Sequence, residues 1–145
     1  MHRIDPRLSL VFVMLWGAGC SGPDHRGASG DPLAGFNVLA ASEIPWESLD
    51  TGWRRKVLFS GELTFVVIDV PAPSDGPITL HRHVNDQISY VVDGEIEVRV
   101  GDEVKKIGSG GFYRIPCDEL HGIRVLSPTA RLVDAFTPPR EDFRK

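Results

Sequence analysis

From Asn37 onward the chain is cut into short runs of β-branched and aromatic residues by Gly, Pro, Asp and Asn, and no window keeps an apolar stripe at helical period. This pattern predicts an all-β domain. Runs at 53–59, 62–70, 78–83, 87–92, 95–100, 103–107, 112–115, 121–126 and 130–136 are expected as strands. Asp93-Gly94 and Gly101-Asp102 suit tight two-residue hairpins, because Gly and Asp tolerate the positive φ that such turns need. Consecutive hairpins imply antiparallel pairing. Many short strands at regular spacing fit a barrel or a sandwich, and pattern alone does not separate the two.

At 145 residues, the chain has room for one core. Its formal charge of −4, with no basic block, gives no footprint for nucleic acid, although a local Arg cluster can still receive a small anionic substrate. The first residues differ from the rest: Arg3 and Arg7 precede Leu8 to Trp16, an unbroken apolar run, followed by Gly17-Ala18-Gly19-Cys20. At about 1.5 Å per residue that run covers less than half of a ~30 Å hydrocarbon core, so it reads as an export signal over 1–19 rather than a membrane span. Small residues before Cys20 resemble a lipoprotein processing site, which would acylate Cys20, anchor the protein by lipid and place it in the periplasm or cell envelope. Residues 20–36, rich in Gly, Pro, Ser and Asp, read as a flexible tether that includes His25, and 37–145 as the folded domain. Cys117 is then the one thiol left in the domain and reads as a small packing residue, so no intramolecular disulfide is expected.

The three histidines of the domain fall in two contexts, His81-Arg82-His83 and Leu120-His121-Gly122. Side chains two apart on a strand share a face, so His81 and His83 can aim at one interior point while Arg82 points away. Gln87 follows four residues later, where the chain has turned to start a strand beside the first, and a distant strand brings His121. Three imidazoles and an amide oxygen suit one divalent cation, zinc, iron, nickel or copper, with manganese less favoured. All four ligands are neutral, so the cation would keep its full charge.

These residues resemble the cupin motifs. Gly76, His81, His83, Gln87 and Gly94 follow the first motif, and Gly110, Pro116 and His121 follow the second. Gln87 stands where most cupins have Glu, Asp118 replaces the Gly after the Pro, and Val125 replaces a final Asn. The resemblance implies a single jelly-roll barrel, the double-stranded β-helix, and a homodimer formed by strand exchange. From 46 to 144 the chain is similar to the KdgF family of pectin-degradation cupins, most specifically in 54–58, 83–87 and 134–143. That resemblance implies ring opening of 4,5-unsaturated uronate monomers, with Gln among the metal ligands and with Asp134, Phe136 and Arg140 at the active site. Asp134 and Phe136, two apart on the last strand, share the barrel face of Leu132. A carboxylate there can act as general acid or base, Phe136 can form an apolar wall, and Arg140, set after Pro138-Pro139, can clamp a carboxylate. A structural acceptor role for Asp134, a surface ion pair of Arg140 with Glu141 or Asp142, and plain core for Phe136 remain open.

Arg54 and Arg55 lie on opposite faces of one strand, so at most one reaches the interior. Tyr90 and Tyr113 read as packing residues. Three functions compete: a uronate-linearising isomerase, a metal-dependent binder of a sugar acid without turnover, and another cupin chemistry such as a dioxygenase or lyase.

Overall fold

A computed structural model describes residues 38–71 and 77–144. The signal expected over 1–19, Cys20, the tether with His25, and Gly76 lie outside the described residues. Among the described residues, no helix is long and apolar enough to cross a membrane.

Strands β1 (Glu47–Ser48), β2 (Arg54–Ser60), β3 (Leu63–Pro71), β4 (Asp86–Asp93), β5 (Glu95–Val100), β6 (Glu103–Gly108), β7 (Phe112–Ile115), β8 (His121–Val125) and β9 (Thr129–Thr137) form two sheets. The larger runs β1-β2-β3-β9-β4-β7 and the smaller β6-β5-β8. Every ladder among them is antiparallel. The two sheets face each other as a jelly-roll barrel, and the apolar residues of each inner face meet between them. Val66, Ile68 and Val70 of β3, Val91 of β4 and Ala130, Leu132 and Phe136 of β9 pack against Ile96 and Val98 of β5 and Val125 of β8. Burying a side chain of this size fully contributes roughly 1.5–3 kcal/mol. The alternation is strict: in β9, Ala130, Leu132, Asp134 and Phe136 are buried, whereas Arg131 and Thr137 are exposed.

Two expectations from the sequence need correction. Gly101 does close a hairpin, with Val100 opposite Glu103. Asp93-Gly94 does not: β4 belongs to the larger sheet and β5 to the smaller, so Gly94 turns the corner between them. A dipeptide that favours positive φ signals a sharp turn but not which sheet the next strand joins. Gly94 has φ 88°, and a Cβ there would stand 2.4 Å from the carbonyl oxygen of Thr129, so the corner admits only glycine.

The strand expected over 78–83 shrinks to one bridge, His81 with His121. Both backbone hydrogen bonds of that bridge, which fasten the segment to β8, are 2.9 Å. Its preceding Pro77 has no N–H to donate. The close approach also explains Gly122, whose Cβ would meet the Thr79 carbonyl oxygen at 2.3 Å. Gln87 accordingly does not start a strand beside this segment. Residues 84–85 cross to the opposite sheet, where β4 lies between β9 and β7.

Candidate metal centre

Cross-strand register builds the site. On the inner face of the larger sheet, Gln87 stands opposite Phe136 and Ser89 opposite Asp134, while Ser89 faces Tyr113 on its other side. From the smaller sheet, His121 opens β8, and its bridge to His81 brings those two rings to a centroid distance of 4.3 Å. His83, two residues on, lies 4.7 Å from the His121 ring. One ligating nitrogen from each of His81, His83 and His121 falls within 4.8 Å of the others, a spacing that can hold a metal ion.

The hydrogen-bond partners set the tautomers. His83 Nδ1 is 3.0 Å from the carbonyl oxygen of Asn85, and His121 Nδ1 is 2.7 Å from that of Glu119. A carbonyl only accepts, so each Nδ1 donates and each Nε2 keeps a lone pair aimed inward. His121 Nε2 is buried with no hydrogen-bond partner. Gln87 Nε2 donates to Ser89 Oγ at 2.8 Å, which turns Oε1 toward His83 Nε2, 3.1 Å away. Two lone pairs facing each other at this distance repel unless a proton or a metal ion is shared between them, and burial disfavours the extra proton on His83. The donor set therefore fits a divalent metal, with His81, His83, His121 and Gln87 as the residues that can hold it.

Electrostatics favour the metal-binding form. Burial, followed by the positive charge that His121, His83 and Arg140 would add, lowers the His81 pKa to about 4. Burial likewise holds His83 and His121 below the usual histidine value. Neutral imidazoles bind a metal without first losing a proton. Asp134 moves the other way: burial raises its pKa to about 6, against the pull of hydrogen bonds from Ser89 and Gln87 and the charge of Arg140. Its Oδ1 accepts from Ser89 Oγ at 2.7 Å. Beside it, Tyr113 is pushed above its ordinary value by burial and by the Asp134 charge.

His81, Gln87, His121, Asp134, Phe136 and Arg140 are among the residues that line one cavity of about 660 Å³, and the His83 ring stands behind them, 5.5 Å from that of Phe136. Arg140 is held at its rim by its backbone N–H, which donates to buried Thr64 Oγ1 at 2.9 Å. Its guanidinium forks onto Asp142 at 2.9 and 2.8 Å and lies 4.2 Å from the Phe143 ring centroid. Arg140 is thus both a cavity residue and a partner of Asp142. Arg55 also reaches the cavity, 3.8 Å from the Phe143 centroid, whereas Arg54 points outward to Asp69.

Several participants were not legible in the sequence. Buried Asn85 donates through Nδ2 to the carbonyl oxygens of Pro138 and Pro139, at 2.6 and 3.2 Å, and so fastens the His83 turn to the segment that carries Arg140. Ser89 is invisible as a lone serine, although its place two residues after Gln87 puts it on the same strand face. Phe143 belongs to a 3-10 turn, Glu141–Phe143. Three bland readings change as well. Tyr113 lines the cavity, and Tyr90 faces outward, 4.7 Å from the Phe112 ring. Cys117 is exposed rather than packed, because the turn after Pro116 leaves the barrel surface.

Comparison with known proteins agrees with this geometry. The family model described as "Cupin domain" matches residues 66–136. The pectin degradation protein KdgF of Dickeya dadantii is 36% identical over 103 residues, covering 70% of this chain and 92% of that protein. The solved structure of KdgF from a Halomonas species superimposes with a TM-score of 0.69 at 28% identity, over 76% of this chain and all (100%) of that one. An RmlC-like cupin from Shewanella frigidimarina does so with a TM-score of 0.68 at 31% identity, over 76% of this chain and 97% of that one. A barrel that gathers three imidazoles on its inner face, matched along almost the whole length of such relatives, makes this chain a cupin and a member of the KdgF family.

Proposed function

We propose that this protein is a metal-dependent enzyme that opens the ring of 4,5-unsaturated uronate monomers to the linear 5-keto-4-deoxyuronate. The observation that carries the reading is Asp134, a buried carboxyl on the cavity wall beside a site built only of neutral ligands, its pKa raised by burial to about 6. A group poised near neutral pH can both take and return a proton. The relative from Dickeya, named for pectin degradation, supports the substrate class.

A divalent cation held here supplies Lewis acidity to an oxygen of the bound sugar. The chain supplies the rest. Arg140 exchanges Asp142 for the substrate carboxylate, and Phe136 closes the apolar side. Asp134 takes the proton of the C1 hydroxyl as the bond from C1 to the ring oxygen breaks, which leaves an aldehyde at C1 and an enolate at C5. Return of that proton from Asp134 to C4 then gives the ketone and restores the carboxylate. No electrons leave the sugar, so neither oxidant nor reductant is needed. A sugar-acid binder needs the cation and Arg140 but no titratable carboxyl, and a dioxygenase would consume oxygen.

NMR of purified, metal-loaded protein with unsaturated galacturonate, corrected for spontaneous opening, tests the reading. Asp134→Asn is expected to return turnover to background with metal content unchanged, whereas His121→Ala loses both. Wild-type turnover in Asp134→Asn removes the carboxyl from the mechanism.

Export through 1–19, with lipid on Cys20, belongs to the same proposal and would place the enzyme where external lyases release monomers. Labelled palmitate is expected on the wild type and absent from Cys20→Ala; equal labelling of both contradicts the anchor. A homodimer is proposed as well, through the outer sheet face described below in place of the strand exchange that the resemblance implies.

A further inference from the structure

Ser89 is fully enclosed, with 0% of its surface exposed, and no motif of the sequence assigns it a role. Its hydroxyl is the middle of a chain of three polar side chains. Gln87 Nε2 lies 2.8 Å from Ser89 Oγ, and Ser89 Oγ lies 2.7 Å from Asp134 Oδ1. The hydroxyl has one proton, and Asp134 in its carboxylate form accepts without donating, so in that form the proton goes to Asp134. The Ser89 lone pairs are then left for a donor, and the only donor on Gln87 is its amide N–H. The direction of the chain is thereby fixed from the Asp134 end, and the Gln87 carboxamide has one orientation, with Oε1 on the side of His83 Nε2.

The opposite orientation would set amide hydrogens where a cation must find a lone pair. An apolar side chain at position 89 would leave Gln87 Nε2 and Asp134 Oδ1 without this partner in a buried place, and the amide would be held only by its weaker direct contact with Asp134. Tyr113, directly opposite Ser89 on β7, is a further hydrogen-bond partner of the Ser89 hydroxyl from the other side.

We propose that Ser89 is a positioning residue which, by accepting from Gln87 and donating to Asp134, holds the Gln87 carboxamide with its oxygen toward the metal site and ties the ligand set to the carboxyl. This rests on the assignment of His81, His83, Gln87 and His121 as a metal centre. It adds to that assignment a reason why the amide oxygen, rather than the amide nitrogen, is presented.

The test compares Ser89→Thr with Ser89→Val. The two substitutions have the same shape and suit a strand equally, so damage from added bulk is common to both and only the hydroxyl differs. Zinc affinity is measured by competition with a chromophoric chelator, and the visible spectrum of the cobalt-substituted protein reports the ligand set. Outer partners of metal ligands are commonly worth about 10–100-fold in metal affinity. Ser89→Thr is expected to keep zinc affinity within about threefold of the wild type, and Ser89→Val to lose about 10–100-fold with an altered cobalt spectrum. Equal affinities and equal spectra for the Thr and Val proteins overturn the role of Ser89. Wild type that binds zinc no better than His121→Ala overturns instead the metal centre on which it rests.

Discussion

Asp134 is the residue at which stability and function pull apart. An unfolded aspartate titrates near 3.8, whereas burial raises the folded value to about 6. Below about pH 4 both states are protonated and the residue costs nothing. Between pH 4 and 6 the unfolded chain loses a proton that the folded one retains, and above pH 6 the penalty is complete, about 3 kcal/mol for some two pH units. Asp134→Asn is therefore expected to stabilise the metal-free protein by up to about 3 kcal/mol at pH 8 and by little at pH 4, as read from urea unfolding. The histidines act in the opposite sense, because their folded pKa values are lowered and acid favours the unfolded chain. That contribution is common to both proteins and cancels in their difference. A gain equal at the two pH values would show that Asp134 is not a strained, enclosed carboxyl. Reading His81, His83, Gln87 and His121 as candidates needed side-chain chemistry and spacing, and Asp134 came with the family resemblance and its place on the barrel face of β9. Reading Ser89 needed the register that sets it opposite Asp134, and spacing along one strand carries no information about its neighbour.

At the scale of elements, legibility tracked hydrogen bonding. Strands β3 and β9 showed in the sequence because they are runs rich in apolar and β-branched residues bounded by turn residues. The segment 78–83 has the composition of a strand but forms one bridge, and composition does not count ladder bonds. The two-residue β1 is too short to leave a pattern. Asp118 shows the reverse case, a departure from the motif whose consequence could be anticipated. It stands where cupins have Gly, and it adopts φ 59°, the left-handed conformation that Gly reaches freely and Asp tolerates. Its N–H donates to the His83 carbonyl at 2.8 Å, so this turn holds the ligand loop in place. Asn85 plays the matching part from the other side. His81 and His83 thus sit on a short irregular segment clamped between two regular sheets, while Gln87 and His121 stand near the starts of β4 and β8, which explains why the strands were easier to read than the connection that aims the first two ligands.

The whole molecule presents one feature that the sequence did not announce. The outer face of the larger sheet carries two adjoining rows, Leu58, Phe65, Ala135 and Ile88, then Val67, Val133, Tyr90 and Phe112. Phe112 is 67% exposed and Ile88 56%, and charged residues such as Arg54, Asp69 and Arg131 border the rows. A continuous apolar face of this kind suits a second sheet packed against it, and it is the basis for the proposed homodimer. Sedimentation velocity at micromolar concentration is expected to give a dimer for the wild type and a monomer for the double variant Ile88→Glu, Phe112→Glu. A monomeric wild type removes the proposal without touching the metal centre, which lies on the opposite face of the same strands. That centre bears most directly on the account as a whole, and anomalous diffraction at the absorption edge of a metal supplied in crystallisation locates it. The expected result is a single peak per chain, bonded at about 2.0–2.2 Å to one nitrogen each of His81, His83 and His121 and to Oε1 of Gln87. A peak elsewhere, or one that binds the histidines with the Gln87 oxygen turned away, would contradict it.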